Sequence, residues 1–262
     1  MTAATTLANG LSILDEVYEG LENGSFYASM NRLRTGLTIL RNDVSSVDWR
    51  AFCECTMSEH PIQQVLRESP IPGHRGHSRL GQALDSQSLD LICGRSSNGA
   101  DATALGKMLY GWQYKLAFSE ALRIREVVFR SELSSIHQEE DQPRVLSLTL
   151  HSVRTQLAGS FDFIHASHLF DSLGTEQARA LVGKLVDALA PNGRLFIANT
   201  APDLPDAGYL EACLNYWPNY RSEEEMARLA DAVPDKHISS QCVFRDESRY
   251  SVFLELQKSA SS

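Results

Sequence analysis

Two strand-like runs separated by only ten residues place the tightest limit on the fold of this chain. RVLSLTL begins at Arg144 and FDFIHAS begins at Phe161, with HSVRTQLAGS between them. A crossover between parallel strands needs about 10–12 residues, its helix included. The interval therefore has room for one crossover and for no additional strand-helix unit.

The spacing of apolar residues divides the chain into two regions. Before residue 140 apolar side chains recur at helical spacing, and from Arg144 the period becomes that of strands. We predict a helical N-terminal region at residues 1–140 and an α/β domain at residues 141–262. Within the helical region, one long helix is expected from about Ala102 to Leu133.

The second region reads as alternating strands and helices. After FDFIHAS come an amphipathic helix in GTEQARALVGKLVDALA, a turn at PNG and a third strand in RLFIANT. Strand, helix and strand in this order predict a right-handed unit in a parallel sheet. The segment QCVFRDESRYSVFLELQK predicts a closing hairpin of two longer strands.

Charge and composition exclude several classes of partner. The net charge of -9 argues against binding a nucleic-acid backbone. We find no run of eighteen apolar residues and no secretion signal, so we expect a cytoplasmic protein without a membrane span. The five cysteines are an odd number, and their spacing fits neither a disulfide framework nor a zinc knuckle.

Three segments of the second half resemble the later part of class I S-adenosylmethionine (SAM)-dependent methyltransferases. They are FDFIHASHLFDSL, LVDALAPNGRLFIANTAPD and GYLEACLNYWPNYRSEEEMARLA. Upstream, WRAFCECTMSEHPIQQVL and LDLICG are similar to bacterial methyltransferases related to those that make 3-hydroxy fatty acid methyl ester signals. The resemblance implies a Rossmann-like sheet, here reduced, behind a helical N-terminal region.

The chain departs from that family where the cofactor should bind. A SAM site needs a glycine turn after the first strand and an acidic residue after the second to hold the ribose hydroxyls. RVLSLTL is followed by His151 and has no glycine before Gly159. Either the first strand has lost its glycine turn, or RVLSLTLHS is the family's third strand and the first two are deleted. Both alignments remove the adenosine half of the pocket, so we do not expect SAM binding.

Histidines stand where ligands bind in open parallel sheets, beyond the carboxyl ends of the strands. His151 follows the first strand, and His165 and His168 end the second. We predict a divalent metal site, of zinc, iron or manganese, on these three imidazoles. In that reading His165, His168 and Asp171 are catalytic. The alternative is that the histidines are structural, His165 in the core and His168 as a helix cap.

Further residues are candidates for binding a substrate. Asn199 and Asp203 would lie on the rim of the same crevice, and the resemblance adds Arg79, in SRLGQALD, together with an aromatic segment. That segment holds Tyr209, Tyr216 and Trp217, which could equally be helix-packing core or a dimer surface. The loop GHRGH, with His74 and His77, could be a lid over the crevice or plain surface.

Three functions remain open from the sequence. The chain could be a repurposed enzyme of small-molecule biosynthesis, acting on an acyl or amino-acid-derived metabolite through the histidine-lined crevice. It could be a non-catalytic scaffold or regulatory subunit, as a homodimer or bound to a partner enzyme. It could also be an active SAM-dependent methyltransferase with a rebuilt cofactor site, because the substrate-side segments are retained.

Overall fold

The computed structural model describes residues 3–71, 86–96, 102–139, 141–148 and 159–260. Contacts between residues divide the chain into two compact units, Met1–Ser119 with Leu204–Trp217, and Glu120–Asp203 with Pro218–Ser262. Mixed α/β structure with a helical N-terminal region is confirmed. None of the described helices is long and apolar enough to cross a membrane.

Helices build the described part of the first unit. They are α1 (Ala3–Glu22), α2 (Phe26–Asp43), α3 (Ser46–Ala51), a π-helical turn (Phe52–Met57), α4 (Ile62–Leu66), α5 (Ser86–Ile92), α6 (Ala104–Gln113) and, later in the chain, α9 (Ala207–Cys213). Many of the apolar residues at helical spacing are buried, among them Leu14, Val17, Leu33 and Leu37, whereas Leu11 is exposed. The period read from the sequence therefore identified the faces that form this core.

The single long helix expected at 102–133 is two helices in the structure. α6 ends at Gln113, and α7 spans Ala117–Glu139. Ser119 Oγ donates to the Gln113 carbonyl at 2.7 Å, and the Phe118 N–H donates to Asp206 Oδ2 at 2.8 Å. Asp206 supplies its acceptor from 88 residues away, so the local apolar period could not show the break.

Among the described residues of the second unit, five strands form one sheet. Its strands are β1 (Val145–Ser147), β2 (Phe161–Ala166), β3 (Leu189–Thr200), β4 (Ile238–Arg245) and β5 (Ser251–Lys258), in the order β1-β2-β3-β5-β4. β1, β2 and β3 run parallel, whereas β5 is antiparallel to β3 and β4 antiparallel to β5. The parallel unit of β2, α8 (Thr175–Asp187) and β3 is confirmed, as is the closing hairpin.

The PNG segment, predicted as a turn, lies inside β3. The register of β2 with β3 is irregular here, because Phe161 pairs with Leu189 and Phe163 pairs with Arg194. Asn192 has a φ of 63°, and a Cβ on Gly193 would lie 2.7 Å from the Phe161 carbonyl oxygen. A strand bulge that requires glycine replaces the expected turn.

Each face of the sheet packs against its own cluster of apolar side chains. One face carries Ile164, Leu195 and Leu254, which pack with residues of α8, of α10 (Glu223–Ala227) and of the 3-10 helix Arg228–Ala232. The other face packs in a mainly aromatic cluster. The buried residues of this cluster are Phe129, Ile136, Phe163, Phe196, Ala198 and Phe253. Phe129 and Ile136 belong to α7, so most of α7 packs in the second unit.

Arg194 on β3 lies among three carboxylates of α7 and β5. Its guanidinium is 3.6 Å from Glu132, 3.6 Å from Glu139 and 3.4 Å from Glu255. The pKa of Glu132 is raised, first by burial and then by Glu255 and Glu139, against the lowering effect of Arg194. The charged form of Glu132 is therefore less favourable in the folded chain than in the unfolded chain.

Replacing Glu132 with glutamine is expected to raise the free energy of unfolding at pH 7. Because the pKa of Glu132 is higher in the folded chain than in the unfolded chain, its proton stabilises the fold. This contribution is complete at pH values below the unfolded pKa and is lost as the pH rises through the folded pKa. The gain should therefore disappear near pH 4, as measured by urea unfolding at both pH values. Glu139→Gln, at a more exposed carboxylate of the same cluster, is the control and should change little. A larger loss of stability at pH 7 than at pH 4 would contradict this expectation.

Candidate functional site

The candidate site lies at the carboxyl ends of the parallel strands in the second unit. β2 ends at Ala166 and is followed by Ser167, His168 and a 3-10 helix at Phe170–Ser172, and β3 ends at Thr200. Ligands of open α/β sheets bind beyond these strand ends. The structure thus brings His165, His168, Asp171 and Asn199 to the same edge of the sheet.

Asp171 is fully buried and bound to an arginine that the sequence analysis did not single out. Arg125 of α7, also fully buried, donates from Nη1 to Asp171 Oδ2 at 2.7 Å. The other carboxylate oxygen, Oδ1, accepts the Thr200 N–H at 2.6 Å. Both oxygens of Asp171 are therefore engaged by the protein itself.

Arg125 joins the ends of three strands. Besides Asp171 it donates to the Ser167 carbonyl at 3.0 Å, to Thr200 Oγ1 at 2.9 Å and to Ser251 Oγ at 2.8 Å. Buried charges persist in proteins when they are paired and their remaining polar atoms are hydrogen-bonded. This network meets both conditions, so it fixes the β2, β3 and β5 ends and gives Asp171 a structural role.

Asn199 is held in a second buried network. Its Nδ2 donates to the Asn219 carbonyl at 2.6 Å, and its Oδ1 accepts from Arg221 Nη1. Arg221 also donates to the Phe170 carbonyl at 2.8 Å. Burial lowers the pKa of Arg221, and the charge of Asp171 opposes that shift. The amide of Asn199 is thus used within the fold.

Asp203, the other predicted rim residue, lies in an exposed ion pair. Both of its carboxylate oxygens accept from Arg245 Nη1, at 2.9 and 2.8 Å. Arg245 Nε donates in addition to Glu223 Oε2 at 3.1 Å. The substrate role of Asp203 stays a prediction, and the structure shows it bound to β4.

His165 lies on the aromatic face of β2. Its ring stacks on Phe163, with centroids 5.7 Å apart, and lies 5.0 Å from the ring of Phe129. Burial lowers the pKa of His165, although the negative charge of Glu126 opposes the shift. Its Nδ1 is buried and has no hydrogen-bond partner in the part of the chain that the structure describes. Burial therefore favours the neutral imidazole at His165, and its Nδ1 is left without a partner among the described residues.

His168 is oriented by a carboxylate from α7. Its Nε2 lies 3.0 Å from Glu126 Oε1, and its side chain is 19% exposed. Its Nδ1, like that of His165, is buried without a partner among the described residues. A histidine that binds a metal commonly donates its other ring N–H to a carboxylate. Glu126, another residue missed from the sequence, gives His168 that arrangement.

The third predicted metal ligand, His151, lies outside the described residues, as do Arg79, His74 and His77. Within the described ranges, no group of three or more His, Cys, Asp or Glu side chains is arranged to hold a metal ion. The three-histidine site therefore stays a prediction that depends on residue 151.

The aromatic candidates lie in the first unit. Tyr209 is fully buried, accepts from Gln113 Nε2 at 2.9 Å and meets the ring of Trp112 edge-on at 5.0 Å. Tyr216 is also buried and lies 5.3 Å from the ring of Phe118. Trp217 is half-buried, with the Arg50 guanidinium 4.9 Å above its ring. Packing alone accounts for the two tyrosines, so their substrate role rests on the sequence resemblance.

Comparison with known proteins gives similarity in structure only. No protein-family model and no curated protein matches the chain. A solved structure of a possible exported protein from Bordetella parapertussis is similar over 99% of this chain and 98% of that chain, with a TM-score of 0.51 and 12% identity. That similarity concerns the fold alone.

Solved structures of methyltransferases are similar to parts of the chain. Magnesium protoporphyrin IX methyltransferase from Synechocystis PCC 6803, with bound SAM, covers 54% of this chain and 83% of its own, at a TM-score of 0.35 and 14% identity. The similarity to human N-acetylserotonin methyltransferase, also in complex with SAM, covers 40% of this chain and 31% of that chain, at a TM-score of 0.32 and 8% identity.

Proposed function

We propose that this chain is a methyltransferase-like protein that has lost standard SAM binding and acts on a small molecule at a histidine-lined crevice. The crevice would lie at the carboxyl ends of β1 and β2. One observation carries the proposal, namely that His165 and His168 each keep a buried Nδ1 without a partner among the described residues. Leaving a buried polar atom unpaired costs free energy. Two such nitrogen atoms, on histidines three residues apart, therefore favour a bound group at this site.

The position of β1 supports the loss of SAM binding. β1 pairs in parallel directly with β2 and is an edge strand of the described sheet. A SAM site of the family's kind needs a further strand beyond β1, because that strand carries the acidic residue for the ribose. Twelve residues separate Leu148 from Phe161, which leaves room for one crossover and not for an added unit.

The described histidines have the chemistry that a divalent metal requires. Metal-binding imidazoles are neutral, and burial lowers the pKa of His165, which favours its neutral form. Glu126 would hold His168 in the tautomer that presents Nδ1, and His151 would supply the third nitrogen. A divalent ion bound there would polarise a carbonyl group or activate water.

In this proposal the other predicted residues have different roles. Asp171 supports the crevice through Arg125 and does not touch the substrate, since both of its oxygens are engaged. Arg79 remains our candidate for binding an acyl or carboxylate group, as the resemblance implies. We propose a small acyl or amino-acid-derived metabolite as the substrate class.

A non-catalytic scaffold is the second candidate, and the buried networks favour it. Asp171 and Asn199, two polar residues at the strand ends, are both fully buried and hydrogen-bonded. A protein that keeps the fold for stability and assembly needs no accessible carboxylate there. Metal content separates the two candidates, because only the first requires a metal.

Elemental analysis of wild type and of histidine variants tests the enzyme proposal. We expect bound metal in the wild type and loss of most of it in His151→Ala, His165→Ala and His168→Ala, because a three-ligand site cannot keep its geometry on two. Glu126→Gln should weaken metal binding about 10–100-fold, as the loss of a carboxylate that orients a metal-binding histidine does.

Two alanine variants serve as controls for this experiment. His74→Ala should keep the metal, since that loop is proposed only as a lid, and so should His137→Ala, an exposed histidine of α7 that bonds the Leu133 carbonyl. Wild-type protein with less than about one metal per ten chains after loading with Zn²⁺ would overturn the proposal. So would a site emptied by His74→Ala and not by His165→Ala.

A further inference from the structure

β4 is an edge strand with no charged residue before its last position. It spans eight residues, Ile238–Arg245, and pairs only with β5 among the described strands. Its first seven residues, ISSQCVF, carry no charge, in a chain where 22% of residues are charged. Residues 239–242 are exposed. Proteins commonly protect such edges with charged side chains or proline, and β4 has neither within this run.

The missing charges fit pairing with a second copy of this chain. When two identical strands pair antiparallel about a two-fold axis, the residue on the axis faces its own copy. Any charge there would oppose the same charge, which destabilises the pair. The net charge of -9 opposes association of copies elsewhere, so an uncharged strand is the favourable place for it.

We propose that β4 pairs antiparallel with β4 of a second copy, about a two-fold axis beside Cys242. The register of β4 with β5 shifts between Ile238 and Ser240, so the regular part of the strand is Ser240–Arg245, and this axis pairs Ser240–Phe244 with the same residues of the copy. Arg245 then faces Ser239 of the copy and not another arginine, and it is neutralised by Asp203 and Glu223.

The same arrangement leaves room for Phe244, an aromatic side chain of this strand. Phe244 is half-buried and stacks on Phe253, with ring centroids 5.1 Å apart. It lies on the face that also carries Cys242 and Ser240, since side chains two residues apart share a face. About the proposed axis Phe244 lies opposite the small Ser240 of the copy, which leaves room for its ring.

Because eight residues a side form a small interface, we expect a reversible, concentration-dependent dimer. Oxidation of the purified protein with a copper-phenanthroline reagent should trap it as a disulfide between two Cys242 thiols. Cβ atoms directly opposite in an antiparallel pair lie about 4.5–5.5 Å apart, close to disulfide reach. The crosslinked dimer should persist in Cys55→Ser and disappear in Cys242→Ser.

Replacing each of the same two exposed cysteines with lysine tests whether the copies meet at β4 or at another surface. Cys242→Lys places two lysines opposite each other and should weaken dimerisation at least about tenfold in sedimentation equilibrium, since like charges facing across an interface are strongly unfavourable. Cys55→Lys adds the same charge in the first unit and should leave the dimer unchanged. Circular dichroism confirms that both variants are folded.

Three results would overturn the assignment. The first is a wild type that stays monomeric up to about 1 mM and gives no crosslink through Cys242. The second is a dimer that Cys242→Lys and Cys55→Lys weaken equally. The third is a dimer whose crosslink survives in Cys242→Ser, because the copies would then meet through another surface.

Discussion

Replacing Arg125 with methionine should lower the free energy of unfolding by about 3–5 kcal/mol, because removing one partner of a buried ion pair leaves the other charge uncompensated. Arg125 and Asp171 are both fully buried, and their closest atoms are 2.7 Å apart. The same substitution also leaves the Ser167 carbonyl and Ser251 Oγ without their donor. Urea unfolding at pH 7, followed by circular dichroism, measures the loss.

Two matched variants show whether the buried charge is the cause. Arg130→Met, at an exposed arginine of the same helix, should change stability by no more than about 0.5 kcal/mol. The double variant Arg125→Met with Asp171→Leu should recover part of the loss, since an apolar pair can replace a buried ion pair at little cost. A double variant less stable than Arg125→Met alone would show that Asp171 is not the source of the effect.

The strands could be predicted because their apolar pattern is local. RLFIANT and the hairpin segments carry strand-like apolar runs long enough to fix type and order. β1 pairs directly with β2, as the interval allows. The break between α6 and α7 was missed because its cause, the Asp206 carboxylate, is distant in the sequence.

The candidate site was predictable in position and only partly in chemistry. The rule that ligands lie beyond parallel strand ends selected His165, His168, Asp171 and Asn199. It could not show that Asp171 meets an arginine 46 residues away. A basic residue on a helix gives no sign in sequence of being buried.

Glu126 shows the same limit for the histidine site. It orients His168 from 42 residues away, and nothing in the period of α7 distinguishes it from a solvated glutamate. The sequence could therefore supply the imidazoles of a ligand set, whereas their supporting carboxylate required the structure.

We propose that this chain keeps a methyltransferase-like arrangement of strands without standard SAM binding. The family's first strand needs a glycine turn and a neighbouring strand with an acidic residue. β1 lies at the edge of the described sheet, and only Gly159, late in the interval before β2, supplies a glycine. Gly159 has a φ of 148° and belongs to the turn into β2.

Calorimetric titration of the purified protein with SAM tests this claim most directly, with thermal unfolding at about 1 mM SAM as a second readout. We expect no binding at that concentration, a limit equivalent to about -4.1 kcal/mol, and no shift in melting temperature. The demethylated product should behave in the same way. A dissociation constant near 10 µM, with the stabilisation of about 2.7 kcal/mol that it implies at 1 mM, would contradict the account and restore the active methyltransferase.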